Sequence, residues 1–235
     1  MRKITVNLSY YNQKDVLIRH VQSWLDYDEE TRDKFSFCIV DDCSEVSAID
    51  VLSEIDLSGI KIDIYRVEED LCCNIAGVRN LAATVCQTDW MVILDMDTMI
   101  SNDLASKMLK LISESGKGDC FKFNRRALGS DREKDNQIHP AVCLIRVDDY
   151  WAIGGCDEDL VGHYGQTDPI FWHRARGKLK NVHTMSHLYL DYIPEGSALI
   201  NRDTSHNEAL FRKKIIDNSW SSNYLRFKWR KEEIL

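Results

Sequence analysis

Trp90-Met91-Val92-Ile93-Leu94-Asp95-Met96-Asp97 decides the fold. Five apolar residues in a row are too few for a buried helix, and they read as a strand covered on both faces. Two carboxylates one residue apart follow at once. They are badly placed for a core and well placed at a strand end to hold a hard divalent cation, since Mg²⁺ and Mn²⁺ prefer oxygen ligands. The ordinary role for acids there is to cap the next helix. Ser101-Asn102-Asp103 already supplies residues for that cap a few positions later.

Outward from this stretch, strand and helix patterns alternate. Ile4 to Tyr11 reads as a buried strand, and Asp15 to Leu25 as a helix with Val16, Leu17, Val21, Trp24 and Leu25 on one face. Phe35 to Val40 is a second strand ending in Asp41-Asp42, and Val46 to Ile55 a helix. Ile60 to Val67 is a third strand, Ile75 to Cys86 a helix, and Leu104 to Ile112 another helix. Four β-α units imply an α/β fold, with a mainly parallel sheet and helices on both faces. Right-handed crossovers bring the strand C-termini to one rim, where ligands bind in such sheets. Ser9-Tyr10-Tyr11-Asn12, Asp41-Asp42 and Asp95-Met96-Asp97 converge there.

The second half is less regular. Strands are expected at Cys120 to Phe123, Ala141 to Val147 and Val182 to Leu190, and helices at Asp148 to Ile153 and Asp168 to Arg176. Residues 129–137 read as a polar loop. The organisation expected is one domain over 1–219, with a nucleotide-binding half (1–115) and an acceptor-binding half (116–219). Residues 220–235 form a helical extension in which Trp220, Tyr224, Phe227 and Trp229 mix with basic residues. That mixture suits packing on the body with snorkelling cations. It leaves open contact with a membrane surface or with further domains of a longer chain.

With 235 residues, 44% hydrophobic and 29% charged, the chain can bury a sizeable core. A formal net charge of −8 argues against a nucleic-acid binder, which needs a basic surface. The eight cysteines make no C-x-x-C spacing, so free thiols in a reducing compartment are expected rather than a structural zinc site. Met1 to Val6 lacks the apolar stretch of a signal peptide, and no apolar run is long enough to span a bilayer, which points to the cytoplasm.

Val6-Asn7-Leu8-Ser9-Tyr10-Tyr11-Asn12, Ile39-Val40-Asp41-Asp42-Cys43-Ser44, Ala76-Gly77-Val78-Arg79-Asn80-Leu81-Ala82 and Leu94-Asp95-Met96-Asp97 stand in an order that resembles the family 2 inverting glycosyltransferases with the GT-A fold. Ile153-Gly154-Gly155-Cys156-Asp157-Glu158 is similar to that family's G-G-F-D-E segment. Tyr164-Gly165-Gln166-Thr167-Asp168 resembles the W-G-G-E-D segment of galactosyltransferase-type enzymes. The resemblance implies transfer of a sugar from a nucleotide-sugar donor, with UDP-sugars foremost, to a hydroxyl of a glycan or glycoconjugate. Ser9, Tyr11, Asp41, Asp42 and Arg79 would hold the nucleotide. Asp95 would face the ribose or the metal, and Asp97 would ligate Mn²⁺ or Mg²⁺. A late histidine often adds a metal ligand in related enzymes, and His187 is the expected one, ahead of His183. His163 is a further acceptor contact. Asp168 would act as general base, with Asp157 in reserve. Thr167 and Cys156 depart from the family pattern, which expects an acid and an aromatic residue there.

Two other classes compete. A nucleotidyltransferase acting on sugar phosphates also sets paired acids on an α/β sheet, but it needs a Gly-rich basic loop after the first strand. Ser9 to Gln13 has no glycine. A non-catalytic sugar-nucleotide-binding module is disfavoured by the intact Asp95-Met96-Asp97 and Asp168. A dinucleotide-dependent oxidoreductase needs G-x-G-x-x-G after the first strand, and that is absent.

Overall fold

The computed structural model describes residues 1–127, 137–193 and 201–233. Most of the polar loop expected at 129–137 lies outside the described residues. The first half runs β1 (Ile4–Tyr10), α1 (Lys14–Leu25), α2 (Glu29–Arg32), β2 (Phe35–Asp41), α3 (Ala48–Leu52), β3 (Ile62–Val67), α4 (Ile75–Val85), β4 (Trp90–Leu94), β5 (Thr98–Met99) and α5 (Asn102–Ser113). The second half runs β6 (Asp119–Ala127), β7 (Gln137–Arg146), α6 (Val147–Ile153), a 3-10 turn at Glu158–Leu160, α7 (Thr167–Lys178), β8 (Asn181–Tyr192), α8 (Ser205–Asp217) and β9 (Trp229–Glu232).

The strands form one sheet in the order β5-β8-β6-β7-β4-β1-β2-β3-β9. The β3-β2-β1-β4 half is parallel throughout, as the alternating patterns require. Beyond β4 the sheet becomes mixed: β7 runs antiparallel to both β4 and β6, while β6 and β8 are parallel. Alternate residues of each strand face opposite layers. Ile4, Val6 and Leu8, with Trp90, Val92 and Leu94, pack against residues of α1, α3 and α5 on one face. Met91 and Ile93 on the other face pack against α6 and α7, and Cys38 and Val40 against α4. Both faces are therefore covered, which accounts for the unbroken apolar run of β4.

The C-terminal segment departs from the expected helix. Residues 219–228 have no regular structure, and β9 pairs antiparallel with β3. The reason lies in competition for backbone groups. Glu158, itself buried, accepts the N–H of Leu225 at 2.8 Å and of Arg226 at 3.2 Å, and Leu225 has φ +56. Phe227 is buried beside Val67 and Leu81, and Trp229 meets Tyr65 edge-on. A two-residue spacing of Phe227 and Trp229 serves the open edge of β3. The remaining aromatics also face the body: Tyr224 donates its hydroxyl to Gly154 O, and Trp220 lies against Arg174.

α8 was not anticipated, because its pattern is polar. It docks through two buried polar residues two turns apart. Asn207 Nδ2 reaches the carbonyls of Leu160, His163 and Gly165, and Lys214 binds Asp157 at 2.9 Å and Asp159 at 2.7 Å. All eight cysteines are free thiols. No helix among the described residues is long and apolar enough to cross a membrane.

Candidate active site

One cleft opens on the rim formed by the C-terminal ends of β1, β2 and β4, and Ser9, Tyr11, Asp42, Arg79, Asp95, Asp97 and Asp168 all line it. Residues separated by as much as 159 positions are thus gathered: strand order brings Ser9, Asp42, Asp95 and Asp97 to the rim, and α4 and α7 bring Arg79 and Asp168.

The Asp95-Met96-Asp97 turn is held from three sides. Thr98 donates its N–H to Asp95 O at 3.1 Å, Ile193 donates to Asp97 O at 2.8 Å, and His20 Nε2 meets Met96 O at 3.1 Å. A carbonyl only accepts, so His20 is protonated at Nε2. Burial pushes its pKa down to about 4, and the ring is neutral near pH 7. With its backbone fixed, the turn presents two partly exposed carboxylates to the cleft.

Among the described residues, the one grouping of three ligand-type side chains is Asp95, Asp97 and His139, whose donor atoms lie within 4.8 Å of one another. His139 Nε2 stands 3.4 Å from Asp97 Oδ1. The carboxylate oxygens are the hard donors that Mg²⁺ and Mn²⁺ favour, so the residues present fit a divalent cation. His187 does not join them: it is exposed on β8, within the register shift in the β6–β8 pairing. His183 stacks on Phe121 and binds Asp119 at 3.1 Å. His163 is exposed and stacks on His206.

Arg79 is the centre of the charge arrangement. It lies in the second turn of α4, with 6% of its surface exposed, and bridges Asp95 at 2.8 Å and Asp168 at 2.7 Å. Burial works against its charge, but the two carboxylates outweigh it and hold the guanidinium firmly protonated. Asp168 sits in the first turn of α7, where the helix dipole favours an anion.

Asp42 receives a hydrogen bond from Asn74 Nδ2 at 3.1 Å, and burial pushes its pKa up to about 6. Tyr11 extends along the same wall, its hydroxyl donating to Asp70 at 3.1 Å. Arg202, from the segment before α8, lines the cleft and lies over the Tyr164 ring.

Two expected site residues belong instead to the scaffold. Asp41 is fully buried and does not line the cleft. It accepts the N–H of Ser44 at 2.8 Å and of Ala48 at 2.9 Å and pairs with Arg66, which makes it a turn-and-cap acid. Asp157 is likewise fully buried, locked to Lys214 and to the N–H groups of Asp159 and Ser221. No acceptor hydroxyl can reach it. The Gly154-Gly155-Cys156-Asp157-Glu158 segment is a structural hub. Asn80 binds Cys156 O, Cys156 N–H, Glu158 and the Tyr150 hydroxyl. A Cβ on Gly155 would come within 2.7 Å of Asn80 Oδ1, and its φ of +60 favours glycine in any case.

Asn74, His20, His139 and Arg202 escaped the sequence reading. Asn74 stands where a helix cap belongs, and it makes no cap hydrogen bond, turning to Asp42 instead. The histidines carried no local signal, since each reaches the turn from a distant element.

A parallel half-sheet, an acidic turn at the end of its fourth strand and an Arg-linked carboxylate opposite define a glycosyltransferase of the GT-A type. The model of the glycosyl transferase family 2 matches residues 5–220, and the chain belongs to that family. It is 26% identical over 232 residues to TuaG of Bacillus subtilis (strain 168), whose name assigns it to teichuronic acid biosynthesis, covering 97% of this chain and 83% of that protein. S. aureus TarS 1-349 in complex with UDP-GlcNAc superposes with a TM-score of 0.69 at 13% identity, over 94% of this chain and 68% of that one. The mannosyltransferase PcManGT from Pyrobaculum calidifontis, in complex with GDP-Man and Mn²⁺, superposes with a TM-score of 0.63 at 14% identity, over 94% of this chain and 66% of that one. The protein is thus a glycosyltransferase acting on a nucleotide sugar.

Proposed function

We propose that this enzyme moves a sugar from a UDP-sugar to a hydroxyl of a glycan or glycoconjugate, with inversion and with a divalent cation. The observation that carries the reading is the Asp95–Arg79–Asp168 bridge across a single cleft, which sets an acidic turn and a second carboxylate on opposite sides of one reaction space. The UDP-GlcNAc and the GDP-Man with Mn²⁺ in the superposed structures support a nucleotide sugar and a metal.

Asp42, held by Asn74, accepts a hydrogen bond from the base or ribose, with Ser9 and Tyr11 on the same wall. Asp95 and Asp97 hold Mn²⁺ or Mg²⁺. The bound cation supplies charge neutralisation at the diphosphate leaving group. Arg202 adds a second cation on the rim for the same charge. Asp168 takes the proton from the acceptor hydroxyl as its oxygen bonds to the anomeric carbon and the bond to the diphosphate breaks. Arg79 engages its Oδ1 alone, and 29% of the side chain remains exposed to the cleft. Arg79 keeps Asp168 and Asp95 at a fixed separation, so that base and leaving-group side are held in register. Eight free thiols favour a reducing compartment such as the cytoplasm.

The test is a panel of UDP- and GDP-sugars in thermal shift with and without Mn²⁺, followed by NMR of the anomeric product. Stabilisation by a UDP-sugar that depends on Mn²⁺, and a product of inverted configuration, are expected. A metal-independent shift or retained configuration would overturn the metal or the base assignment respectively.

A further inference from the structure

His139, at the start of β7, is 2% exposed and close to both acids of the turn. The backbone next to it is anchored from α7, where Trp172 Nε1 donates to Pro140 O at 2.6 Å. The chemistry of the ring is settled by its other nitrogen. Nδ1 receives two backbone N–H groups, from Ala141 at 3.2 Å and Val142 at 3.0 Å. A ring nitrogen accepts an N–H only through a lone pair, so Nδ1 carries no proton, and in a neutral imidazole the proton is then on Nε2. Nε2 is the atom that faces Asp97, at a distance long for a hydrogen bond.

Metal-bound histidines show the reverse pattern: the free nitrogen is an N–H that donates to a carbonyl or carboxylate, which leaves the other lone pair for the metal. Here the free nitrogen is met by donors. Binding a cation through Nε2 would require an imidazole stripped of both protons, or the loss of both backbone hydrogen bonds. Turning the ring over does not relieve this, because a C–H would then face the Ala141 and Val142 amides.

We infer that His139 is a positioning residue and not a metal ligand: the Ala141 and Val142 amides lock it as the Nε2–H tautomer, and that N–H orients the Asp97 carboxylate towards the cation. This rests on the proposal that Asp95 and Asp97 hold a divalent metal. The cation is then held by the two carboxylates, with the remaining positions left to the diphosphate and water.

Two spectroscopic readouts test it on the full chain. Long-range ¹⁵N–¹H NMR of the metal-free, histidine-labelled protein, assigned by the signal lost in His139→Gln, should show a protonated Nε2 and a bare Nδ1. Pulsed EPR of the protein with Mn²⁺ and UDP should show no coupling from a directly bound imidazole nitrogen. Mn²⁺ affinity should fall about 10-fold in His139→Ala and be largely restored in His139→Gln, whose amide can still donate to Asp97. An Nδ1–H tautomer, or a directly bound histidine nitrogen that is lost in His139→Gln, overturns the inference. If Mn²⁺ fails to bind the parent protein, the metal reading falls and the positioning role falls with it, whereas the tautomer found by NMR still stands.

Discussion

Asp168→Asn separates a chemical role from a structural one. The amide keeps the shape of the side chain and can still accept a hydrogen bond from Arg79, but it loses its charge and its capacity to take up a proton. The structural loss is bounded by the surroundings: the Asp168 carboxylate is 29% exposed, and Arg79 retains Asp95 at 2.8 Å. Exchanging a charge-assisted hydrogen bond for a neutral one costs about 1 kcal/mol, and partial exposure keeps it at or below that. For a chain of this size that corresponds to a Tm lower by about 2–4 °C. The chemical loss is larger. A positioned general base contributes about 10²–10⁴-fold, which at 1.36 kcal/mol per decade is about 3–5 kcal/mol of barrier. Initial rates at saturating Mn²⁺, UDP affinity by calorimetry and Tm by scanning calorimetry would read the three quantities apart. The expected result is kcat down at least about 100-fold, UDP affinity nearly unchanged, and a small fall in Tm. A kcat within a few-fold of the parent would refute the base assignment. A loss of UDP affinity in step with kcat would make Asp168 a donor contact.

Asp97→Ala should abolish Mn²⁺-dependent turnover and Mn²⁺ binding while leaving Tm within a few degrees, because the side chain faces the cleft and, apart from the long 3.4 Å contact with His139, only its backbone is tied into the fold. UDP affinity should fall as pH drops through about 6, the raised pKa of Asp42, because the carboxylate is the acceptor; well below that point the loss approaches 10-fold per pH unit. The same shift has the opposite sign for stability. Between about 4 and 6 the folded protein binds a proton that the unfolded chain does not, so the cost of burying the charged Asp42 is present above pH 6 and fades on acidification. Asp42→Asn should remove the pH dependence of UDP binding, as followed by calorimetry. Lys214→Met should destabilise by about 3–5 kcal/mol, since it strands the fully buried Asp157; chemical denaturation would measure this, and a loss under about 1 kcal/mol would contradict the pairing.

The first half of the fold was legible in the sequence for a physical reason. β4 is covered on both faces and is apolar without interruption, β1 and β2 keep one face apolar through Ile4, Val6, Leu8 and Phe35, Phe37, Ile39, and helices of period 3.6 alternate with the strands. The rim residues Ser9, Asp42, Asp95 and Asp97 follow from that pattern, because strand direction alone sends strand C-termini to one edge. Arg79 and Asp168 were named through resemblance, and their mutual contact was not foreseeable, since 89 positions separate them.

What local pattern could not decide was the fate of each polar group. Asp41 and Asp42 are adjacent and chemically identical, yet pleat alternation turns one into the core against Arg66 and the other to the cleft. Asp157, the reserve base in the sequence, is a buried partner of Lys214, a residue 57 positions away on a helix with no periodic signal. The tail, a mixture of aromatic and basic residues, was expected as a helix, but the open edge of β3 and the Glu158 carboxylate claimed its backbone groups. His187 was the expected ligand, and His139 carried no signal in the sequence. β7 runs antiparallel to β4, so residues before Cys143 lie beside those after Ile93, and that register brings His139 and not His187 to Asp97. Sequence thus determined the β-α alternation of the parallel half and the rim its strands share. Long-range pairing alone decided which carboxylates face the cleft and which histidine reaches Asp97, because burying a charge depends on a partner that only the folded chain can supply.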